Sequence, residues 1–462
     1  MADVTDHHAD FIVLGAGPGG YAAAFRAADL GRKVVLVDPR ASLGGVCLNE
    51  GCIPSKALLH AANLIREARE IADWGIAFGE PEIDLGALRA KKSSIVGQLT
   101  GGLRQLARKR KVQIVQGTAR FTAANGLNID GRDWTFDQAV IAVGSSPVRL
   151  TGWPEDDRIW DSAAALELRQ LPARLAIVGG GVIGLEMATI YSALGSKVTI
   201  IELGAQIAPG ADVEAVGILH AALQRQGVEI RTGASVDGLK ATSAALTLNC
   251  SGDAAIELEV DAIIQSIGRL ANGAQVDADR AGIDVNARGE ISVDAKCRTA
   301  QPHIFAIGDV TGAPMLAHRA THQGKVAAEV ASGHAAAMET TLIPSVAYTS
   351  PELAWVGITA AQAKESGSAY KTTSFPWSAS GRNLASGGAD GLTKLVYCAN
   401  DQRILGATVV GSGAGELLAE MVLAIEMGAT LQDIALSIHA HPTLSETTAF
   451  AAERALGTLT DL

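Results

Sequence analysis

The protein is a chain of 462 residues with a formal net charge of −11, a hydrophobic content of 48% and a charged content of 19%. A chain of this length is too long for a single core and predicts about three domains, and its hydrophobic content indicates a globular protein. The acidic balance argues against a nucleic-acid partner, because phosphate binding needs clustered Lys and Arg side chains.

The N-terminal sequence MADVTDHHADF has neither the apolar core of a signal peptide nor an Arg-rich amphipathic pattern, so we expect a cytoplasmic protein. The most apolar long stretch, residues 175–195, contains several glycines and a glutamate and would be a poor membrane span. Five cysteines in a chain of this length do not form a disulfide framework, and a close cysteine pair in such a chain favours a catalytic or metal-binding role.

An internal repeat organises the first half of the chain. Residues 13–38 and residues 177–202 align without a gap, and each copy contains an apolar run, a glycine-rich turn, an alanine-rich segment that ends in Leu-Gly, a second apolar run and an acid. This order predicts strand, helix and strand around the G-x-G-x-x-G fingerprint of dinucleotide-binding domains. The aligned glycines and acids are Gly15, Gly17, Gly20 and Asp38 in the first copy, and Gly179, Gly181, Gly184 and Glu202 in the second.

Each residue type in the fingerprint has a physical role. The first glycine forms the tight turn, the second lets backbone N–H groups approach a pyrophosphate at the helix N-terminus, and the third allows close packing of helix and strand. Asp38 and Glu202 are placed to bind ribose hydroxyls, and an acid at Glu202 would repel a 2′-phosphate, which favours NAD over NADP. Two such sites suggest two cofactors that exchange electrons, and tight turns that bind nothing are the alternative.

Further apolar runs end in glycine, as buried strands that reach a ligand crevice would. Asp309 follows one of them and could bind a polar part of a cofactor or cap the next helix. After about residue 340 the pattern changes to an α+β segment without a fingerprint. The runs are residues 139–144, 262–268 and 304–309; the predicted C-terminal strands are 345–357, 391–398 and 403–411, and the predicted helices are 414–428 and 447–456.

Cys47 and Cys52 form a close pair in the stretch GGVCLNEGCIPSK. On a regular helix their Cα atoms would be about 7.5 Å apart in rise alone, whereas a disulfide needs roughly 4.4–6.8 Å. A bond between them therefore needs a distorted turn, which Gly51 would permit, and strained disulfides of this kind are the reducible ones. Two other interpretations stay open: a zinc site with His439 and His441, and a pair of buried, unpaired cysteines.

The C-terminal motif HAHPTLSE, residues 439–446, offers a general base. Glu446 lies five residues after His441 and could reach back to its imidazole, fix its tautomer and raise its basicity. A surface histidine beside a helix-start glutamate is the alternative for this pair, and His439 competes with His441 for the role of base.

Six motifs resemble, in the same order and across nearly the whole chain, those of the flavin-dependent pyridine nucleotide–disulfide oxidoreductases, and within that family those of the members that oxidise dihydrolipoyl groups. They are GGVCLNEGCIPSKALLH (44–60), GGGVIGLEMA (179–188), HIFAIGDV (303–310), PMLAHRATHQG (314–324), AYTSPELAWVG (347–357) and HAHPTLSE (439–446). The resemblance implies an α/β fold with two Rossmann-like domains, one for FAD and one for NAD, and a C-terminal α+β dimerisation domain. The implied bounds are 1–148 and 271–342 for the FAD domain, 149–270 for the NAD domain and 343–462 for the C-terminal domain.

The resemblance also implies roles for individual residues. Cys47 would exchange with substrate, Cys52 would face the flavin, and His441 oriented by Glu446 would be the base. Glu186 would pair with Lys56 beside the flavin, although a glutamate in the first turn of a helix is also favourable on its own. The implied FAD contacts are Gly15, Gly17, Gly20, Asp38, Gly45, Lys56, Gly117, Ala119, Asp309 and Ala317, and the implied NAD contacts are Gly179, Gly181, Gly184, Glu186, Glu202, Val236 and Gly268.

The implied reaction is the oxidation of protein-bound dihydrolipoyl groups to lipoyl disulfide, with NAD as the electron acceptor and with no metal. The implied partners are a second copy of the chain, which receives His441 in its active site, and the lipoyl domains of a 2-oxo acid dehydrogenase complex or the H protein of glycine cleavage. Two alternatives remain: another flavin disulfide reductase, resembling glutathione or mercuric reductase, and a non-catalytic nucleotide-binding protein.

The chain departs from the family pattern at several positions. Val143 replaces a usual threonine, Leu270 and Ala271 replace a usual Arg- or Val-Pro, and Asp38 replaces the commoner glutamate. Glu50 replaces a usually apolar residue inside the redox loop. Glu50 is expected to face solvent, and the competing hypothesis is that its charge disfavours thiolate and raises a thiol pKa.

Overall fold

The computed structural model describes residues 7–252, 256–340, 342–367, 369–388 and 390–460. Residues 1–6, which belong to the N-terminal sequence used above to predict a cytoplasmic protein, lie outside this range. The chain divides into two compact units. The first comprises Met1–Pro54, Arg89–Val148 and Gly268–Thr341, and the second comprises Ser55–Leu88, Arg149–Ile267 and Leu342–Leu462.

The strands are, in chain order, β1 (His7–Leu14), β2 (Val34–Asp38), β3 (Gln113–Gln116), β4 (Ala119–Ala123), β5 (Gly126–Ile129), β6 (Arg132–Ile141), β7 (Ser145–Pro147), β8 (Ile159–Trp160), β9 (Arg174–Val178), β10 (Lys197–Ile201), β11 (Glu229–Arg231), β12 (Ala234–Ala241), β13 (Leu246–Gly252), β14 (Ile256–Val260), β15 (Ala262–Gln265), β16 (Arg269–Ala271), β17 (Ile304–Ala306), β18 (Ser345–Ala347), β19 (Glu352–Gly357), β20 (Tyr370–Pro376), β21 (Leu392–Cys398) and β22 (Ile404–Gly411).

The α-helices are α1 (Pro18–Asp29), α2 (Gly45–Glu50), α3 (Cys52–Glu70), α4 (Leu85–Lys109), α5 (Ser162–Glu167), α6 (Val182–Ala193), α7 (Val213–Arg225), α8 (Ala317–Ala331), α9 (Ala360–Glu365), α10 (Gly381–Leu384), α11 (Ala414–Glu426), α12 (Leu431–Leu436) and α13 (Glu446–Leu456). Short 3₁₀ turns cover Ile71–Trp74, Gly273–Val276, Ala278–Ala281, Gly308–Thr311 and Trp377–Ala379. No helix within the described residues is long and apolar enough to cross a membrane.

The first unit is built on a sheet whose parallel strands run in the order β3-β2-β1-β6-β17, and β5 and β4 extend it as an antiparallel meander. All five residues of β2 are buried, as are Phe11 to Leu14 of β1. A continuous apolar run is what a parallel strand needs, since helices or other chain segments cover both of its faces. Helices α1 and α8 pack extensively against each other on this sheet.

The second unit contains another parallel sheet, ordered β11-β10-β9-β15-β8, with a separate antiparallel sheet β12-β13-β14. Helix α6 is buried over nearly its whole length, and its apolar, alanine-containing sequence fits this position between sheet and neighbouring helices. The repeat therefore folds as predicted: β1-α1-β2 in the first copy and β9-α6-β10 in the second.

The C-terminal part of the second unit is an antiparallel sheet ordered β18-β19-β22-β21-β20 with helices α11, α12 and α13. Its core is formed by apolar residues of these elements, among them Trp377, Leu418 and Met421. The predicted strands and helices of this region are confirmed in kind, whereas strand β20 and the short helices α9, α10 and α12 were not predicted.

The fingerprint glycines behave as their spacing predicts. A Cβ on Gly20 would lie 1.8 Å from the carbonyl oxygen of Gly15, and a Cβ on Gly184 would lie 2.1 Å from that of Gly179, so these third glycines are required by close packing. Gly15 has a φ of +101° and a Cβ there would lie 2.3 Å from the carbonyl oxygen of Ala142. By contrast, the middle glycines of the two turns have open space where a side chain would begin.

A second close approach joins the first fingerprint to helix α2. Gly45 has a φ of +57°, and a Cβ on it would lie 2.6 Å from the Cα of Gly17. The backbone N–H of Gly44 donates to the carbonyl of Ala16 at 2.8 Å. The start of α2 is therefore held against the glycine turn itself, which only a residue without a side chain permits.

We expect Gly45→Ala to lower the apparent Tm by several degrees more than Gly31→Ala. Both glycines have a positive φ, +57° and +86°, so both alanine variants carry left-handed strain of about 1–2 kcal/mol. Only the Gly45 variant also meets a neighbouring backbone, since nothing lies within 4 Å of a Cβ on Gly31, and this overpacking costs about 1–3 kcal/mol more. Thermal unfolding monitored by circular dichroism measures the difference, and equal Tm losses would contradict the packing argument.

Candidate active site

Asp38 ends strand β2 and holds the first glycine turn. Its carboxylate accepts hydrogen bonds from the backbone N–H groups of Ala16 at 2.6 Å and Arg40 at 2.8 Å, and the residue is buried. The backbone N–H of Gly117 donates to the carbonyl of Asp38 at 3.0 Å, and Ala119 begins the next strand, β4. The structure thus brings the predicted ribose acid, the glycine turn and the segment 117–119 together at one edge of the sheet.

The cysteine pair spans a break between two helices. Cys47 lies inside α2 and is half-buried, while Cys52 is exposed as the first residue of α3. Gly51 separates the helices with φ −138° and ψ −109°, and a Cβ on it would lie 3.5 Å from the Cα of Cys47. The interpretation as two buried cysteines is therefore wrong, the distorted turn at Gly51 is confirmed, and the disulfide itself stays a prediction.

Tyr21, in the first turn of α1, lies near both cysteines and was not singled out from the sequence. Burial raises its pKa, and the negative charges of ionised Cys47 and then Cys52 raise it further. Its position directly after the fingerprint Gly20 is the sequence signal that could have identified it, because a residue there points from the start of the helix toward the ligand turn.

Side-chain contacts join α2 to the loop after β2. Ser42 donates to the side chain of Asn49 at 2.8 Å, and Asn49 donates to the carbonyl of Leu43 at 3.2 Å and, within α2, to that of Gly45 at 2.8 Å. The guanidinium of Arg40 forms an ion pair with Glu50 at 2.9 Å, with side chains 37% and 41% exposed. Glu50 is therefore neither an isolated charge beside the thiols nor a residue that only faces solvent.

Asp309 is held by a residue that sequence reasoning missed. Its carboxylate accepts a hydrogen bond from the hydroxyl of Ser145 at 2.5 Å, and the guanidinium of Arg269 donates a hydrogen bond to the oxygen of that hydroxyl at 2.6 Å. The helix-cap interpretation of Asp309 is wrong, because Leu316 is the N-cap of α8 and Ile307 is the N-cap of the 3₁₀ turn Gly308–Thr311, inside which Asp309 lies. Ala317, the other predicted contact in this region, is the first residue of α8.

The second glycine turn repeats the arrangement of the first. The carboxylate of Glu202 accepts backbone N–H groups of Gly180 and Gly204, both at 2.6 Å. Val236 lies in strand β12, at a β-bulge where its register with β13 shifts. Among the predicted NAD contacts, Gly268 belongs to the first unit and the others belong to the second.

Lys56 and Glu186 form the predicted pair inside the second unit. The ammonium lies 2.9 and 3.0 Å from the two carboxylate oxygens and 4.4 Å from the ring centroid of Tyr348, whose backbone N–H also donates to Glu186. Glu186 is 4% exposed, and it follows the first turn of α6, which begins at Val182, so the first-turn interpretation is wrong. Lys56 differs from the other predicted FAD contacts in belonging to the second unit.

A further carboxylate lies near this pair. Glu352 begins β19 and accepts the backbone N–H of Gly415 at 2.9 Å. Burial raises the pKa of Glu352, while the hydrogen bond from Gly415 and the positive charge of Lys56 act in the opposite direction. The positive charge of Lys56 thus lies beside two carboxylates and an aromatic ring.

The histidine motif contains two histidine–glutamate contacts. His441 Nδ1 lies 2.9 Å from Glu446, whose other oxygen accepts the backbone N–H of Thr443 at 2.7 Å. The His441 side chain is 80% exposed, and with Nδ1 donating to the carboxylate, Nε2 carries the basic lone pair. His439 is 11% exposed and contacts Glu420 through Nε2 and the carbonyl of Ser437 through Nδ1. Both nitrogens of His439 are occupied, which argues against its role as the base and against a zinc site that includes it.

The residues of both glycine turns fit dinucleotide cofactors. Gly17 and Gly181 are the N-caps of α1 and α6, and nothing lies within 4 Å of a Cβ on either of them. A helix N-terminus with open space before it is suited to a pyrophosphate, and the carboxylates of Asp38 and Glu202 retain lone pairs for ribose hydroxyls.

We expect the positive charge of Arg40 to cancel most of the effect that the negative charge of Glu50 would have on the pKa of the Cys47 and Cys52 thiols. Glu50→Gln leaves the cation of Arg40 and should lower the apparent thiol pKa of the reduced pair, and Arg40→Met leaves the anion of Glu50 and should raise it. Each change should be about half a pH unit or less, because both side chains are partly exposed and screened. The double variant should return to the parent value. The rate of alkylation of Cys47 and Cys52 by iodoacetamide against pH, followed by mass spectrometry of the peptides, measures the effect.

The same titration in 1 M salt is the control, since screening should remove the differences between variants. Single variants that both shift the thiol pKa in the same direction, or a double variant that keeps the shift of Glu50→Gln, would contradict compensation.

Comparisons with known proteins agree with this geometry. Residues 9–324 match the family described as pyridine nucleotide-disulphide oxidoreductase, and residues 343–452 match its dimerisation domain. The dihydrolipoyl dehydrogenase of Vibrio cholerae is 49% identical over 461 residues, covering 98% of this chain and 97% of that protein, and the one from Thermus scotoductus is 44% identical over 448 residues, covering 96% of each. The HOCl-induced flavoprotein disulfide reductase RclA from Escherichia coli has a similar structure, with a TM-score of 0.86 and 26% identity over 96% of this chain and 99% of that one.

The resemblance and the fold class expected from the sequence are confirmed by these matches and by the two parallel sheets that follow the two fingerprints. FAD and NAD are the cofactors of such a fold. The chain belongs to the pyridine nucleotide-disulphide oxidoreductases, and its C-terminal part is their dimerisation domain.

Proposed function

We propose that the chain is an NAD-dependent dehydrogenase that oxidises dihydrolipoyl groups through a redox disulfide between Cys47 and Cys52. The observation that carries the proposal is the packing of α2, the helix of Cys47, against the first glycine turn at Gly45 and Gly17. A thiol pair whose helix packs against the glycine turn of a dinucleotide-binding site can exchange electrons with the cofactor bound there. The names of the relatives, which share 44–49% of their residues with nearly the whole chain, indicate the substrate.

In this mechanism His441 removes the proton from one thiol of the substrate. The resulting thiolate attacks the sulfur of Cys47, the Cys47–Cys52 bond breaks, and Cys52 leaves as a thiolate. The second substrate thiol then attacks the substrate sulfur bound to Cys47, which releases lipoyl disulfide. Cys47 leaves as a thiolate and takes up the proton of that second thiol, while His441 holds the first. The substrate loses two electrons and two protons, and the cysteine pair gains the electrons.

Glu446 supports this step by electrostatics and orientation. Its carboxylate accepts the N–H of His441 Nδ1, which directs the basic lone pair of Nε2 outward and stabilises the imidazolium that forms. When bound, FAD would supply a two-electron route from the reduced cysteine pair to NAD, which would be reduced to NADH.

We further propose that the chain works as a homodimer in which His441 serves the cysteine pair of the second subunit. The dimerisation domain exposes large apolar side chains on α11 and around α12, which would be costly to leave in water. They are Leu423, Met427, Leu436 and Ile438, with exposed fractions of 63%, 77%, 70% and 102%. The exposure of His441 on the same domain suits a base that acts on another subunit.

The proposed partners are lipoyl domains of a 2-oxo acid dehydrogenase complex or the H protein of glycine cleavage, in the cytoplasm. A lipoyl group on a flexible arm would present its dithiol to the exposed His441. Glu202 favours NAD over NADP, because its carboxylate at the end of β10 would repel a 2′-phosphate.

The proposed function is tested by comparing kcat/KM for dihydrolipoamide with NAD against the same assay with NADP, and against glutathione as the thiol substrate. We expect a preference of at least about 10²-fold for dihydrolipoamide and for NAD, since a repelled phosphate and a misplaced monothiol each cost several kcal/mol. Higher kcat/KM with glutathione would favour another disulfide reductase, and no turnover by an FAD-loaded protein would favour a non-catalytic role.

We expect Cys47→Ser and His441→Gln to abolish lipoyl-linked turnover individually, by about 10³-fold or more, while FAD stays bound. If the active site is shared between subunits, mixing the two inactive homodimers under conditions of subunit exchange should restore part of the activity. Differently tagged subunits purified as a heterodimer give the measurement. A heterodimer that stays inactive after exchange has been demonstrated would count against the shared site.

A further inference from the structure

His439 is held on both sides of its ring. Nδ1 lies 2.9 Å from the carbonyl oxygen of Ser437, and Nε2 lies 2.8 Å from a carboxylate oxygen of Glu420 on α11. The side chain is 11% exposed, in contrast with the 80% of His441 two residues later. The mechanism above does not use this contact between His439 and Glu420.

The two acceptors determine what the ring must donate. A carbonyl and a carboxylate oxygen can only accept hydrogen bonds, and a neutral imidazole carries a single N–H. Both contacts are therefore hydrogen bonds at the same time only when both nitrogens carry hydrogen, that is, when the ring is an imidazolium. Its positive charge then lies against the negative charge of Glu420, which makes this contact a charge-assisted hydrogen bond.

This contact fastens an irregular segment to a rigid element. Helix α11 is anchored in the core of the dimerisation domain by Leu418 and Met421, which flank Glu420 and are buried. Residues 438–443, between α12 and α13, have no helix or strand of their own, and they carry His441. A tie at His439 therefore limits how far the backbone of His441 can move.

We propose that His439 is a positioning residue, whose imidazolium, held between Glu420 and the Ser437 carbonyl, fixes the segment that delivers His441 to its substrate. The proposal rests on the proposed function, because it requires His441 to be the base. It assigns different tasks to the two histidines of one motif: His441 exchanges protons, and His439 sets the geometry.

The test uses Glu420→Gln, which keeps the side-chain volume but removes the charge, together with His439→Phe and the double variant. We expect kcat with dihydrolipoamide and NAD to fall about 10- to 100-fold in each single variant, the range that a misplacement of about 1 Å produces. The double variant should lose no more than either single variant, because both remove one tie. Glu420→Asp should recover part of the loss.

Two measurements separate positioning from general damage. Reduction of ferricyanide by NADH needs the two cofactors but no thiol base, so it should stay at the parent rate in all variants, as should the KM for NAD. The matched control is His8→Gln, which removes another histidine with contacts at both nitrogens, to Thr135 and Asp137 in the first unit, and should leave lipoyl-linked turnover unchanged.

The protonation of the ring is measured directly by ¹⁵N chemical shifts of histidine-labelled protein, with His439 assigned through its Phe variant. Two N–H signals for this ring at the assay pH are expected, and a neutral tautomer would overturn the proposal.

Unchanged lipoyl-linked kcat in His439→Phe and Glu420→Gln, beside an inactive His441→Gln, would refute positioning while the proposed function stands. Full activity of His441→Gln would instead refute the base assignment. Parallel loss of the ferricyanide reaction would show a general structural role and would also overturn the proposal.

Discussion

The close approach of Gly45 to Gly17 is the constraint on which the candidate active site depends. A turn that binds a pyrophosphate must leave its backbone N–H groups accessible, and here the same turn also supports the start of the helix that carries Cys47. A Cβ on Gly45 would displace Gly17, whereas a Cβ on Gly17 would meet nothing within 4 Å. The position of the helix that carries Cys47, relative to the first glycine turn, is therefore set by close packing of backbone against backbone.

The two copies of the fingerprint share their internal architecture and differ in what is attached to them. In each copy an acid at the end of the second strand accepts backbone N–H groups from the glycine turn, Asp38 from Ala16 and Glu202 from Gly180. The first turn supports α2 and the cysteine pair. The second continues into α6, whose Glu186 holds Lys56. A repeated scaffold thus positions a thiol pair in one copy and a half-buried ion pair in the other.

The features predicted from sequence are those with local signals. Glycine spacing, apolar runs and a terminal acid identify β1-α1-β2 and β9-α6-β10 because all the interacting groups lie within about 26 residues. The contacts that were missed join distant residues: Ser145 and Asp309 are 164 positions apart, and nothing in either segment indicates the other. Arg40 and Glu50 are only ten positions apart, but a partner for Glu50 could not be chosen until the orientation of α2 was known. The position of Tyr21 near the two cysteines could likewise not be predicted without the orientation of α2.

The motif HAHPTLSE shows why residue types and spacing alone do not assign a base. Both histidines have a glutamate partner. The residues of the motif leave the choice between them open, and only the family resemblance favours His441. Hydrogen-bond counting in the folded chain separates them, since His439 has an acceptor at each nitrogen and is largely buried, while His441 has one acceptor and is largely exposed. A ring with an acceptor at each nitrogen offers no free lone pair to a thiol, whereas a ring with a carboxylate on one side only leaves its other nitrogen open. We infer that Glu420, a residue on another helix that neither the motif nor its spacing contains, disfavours His439 as the base.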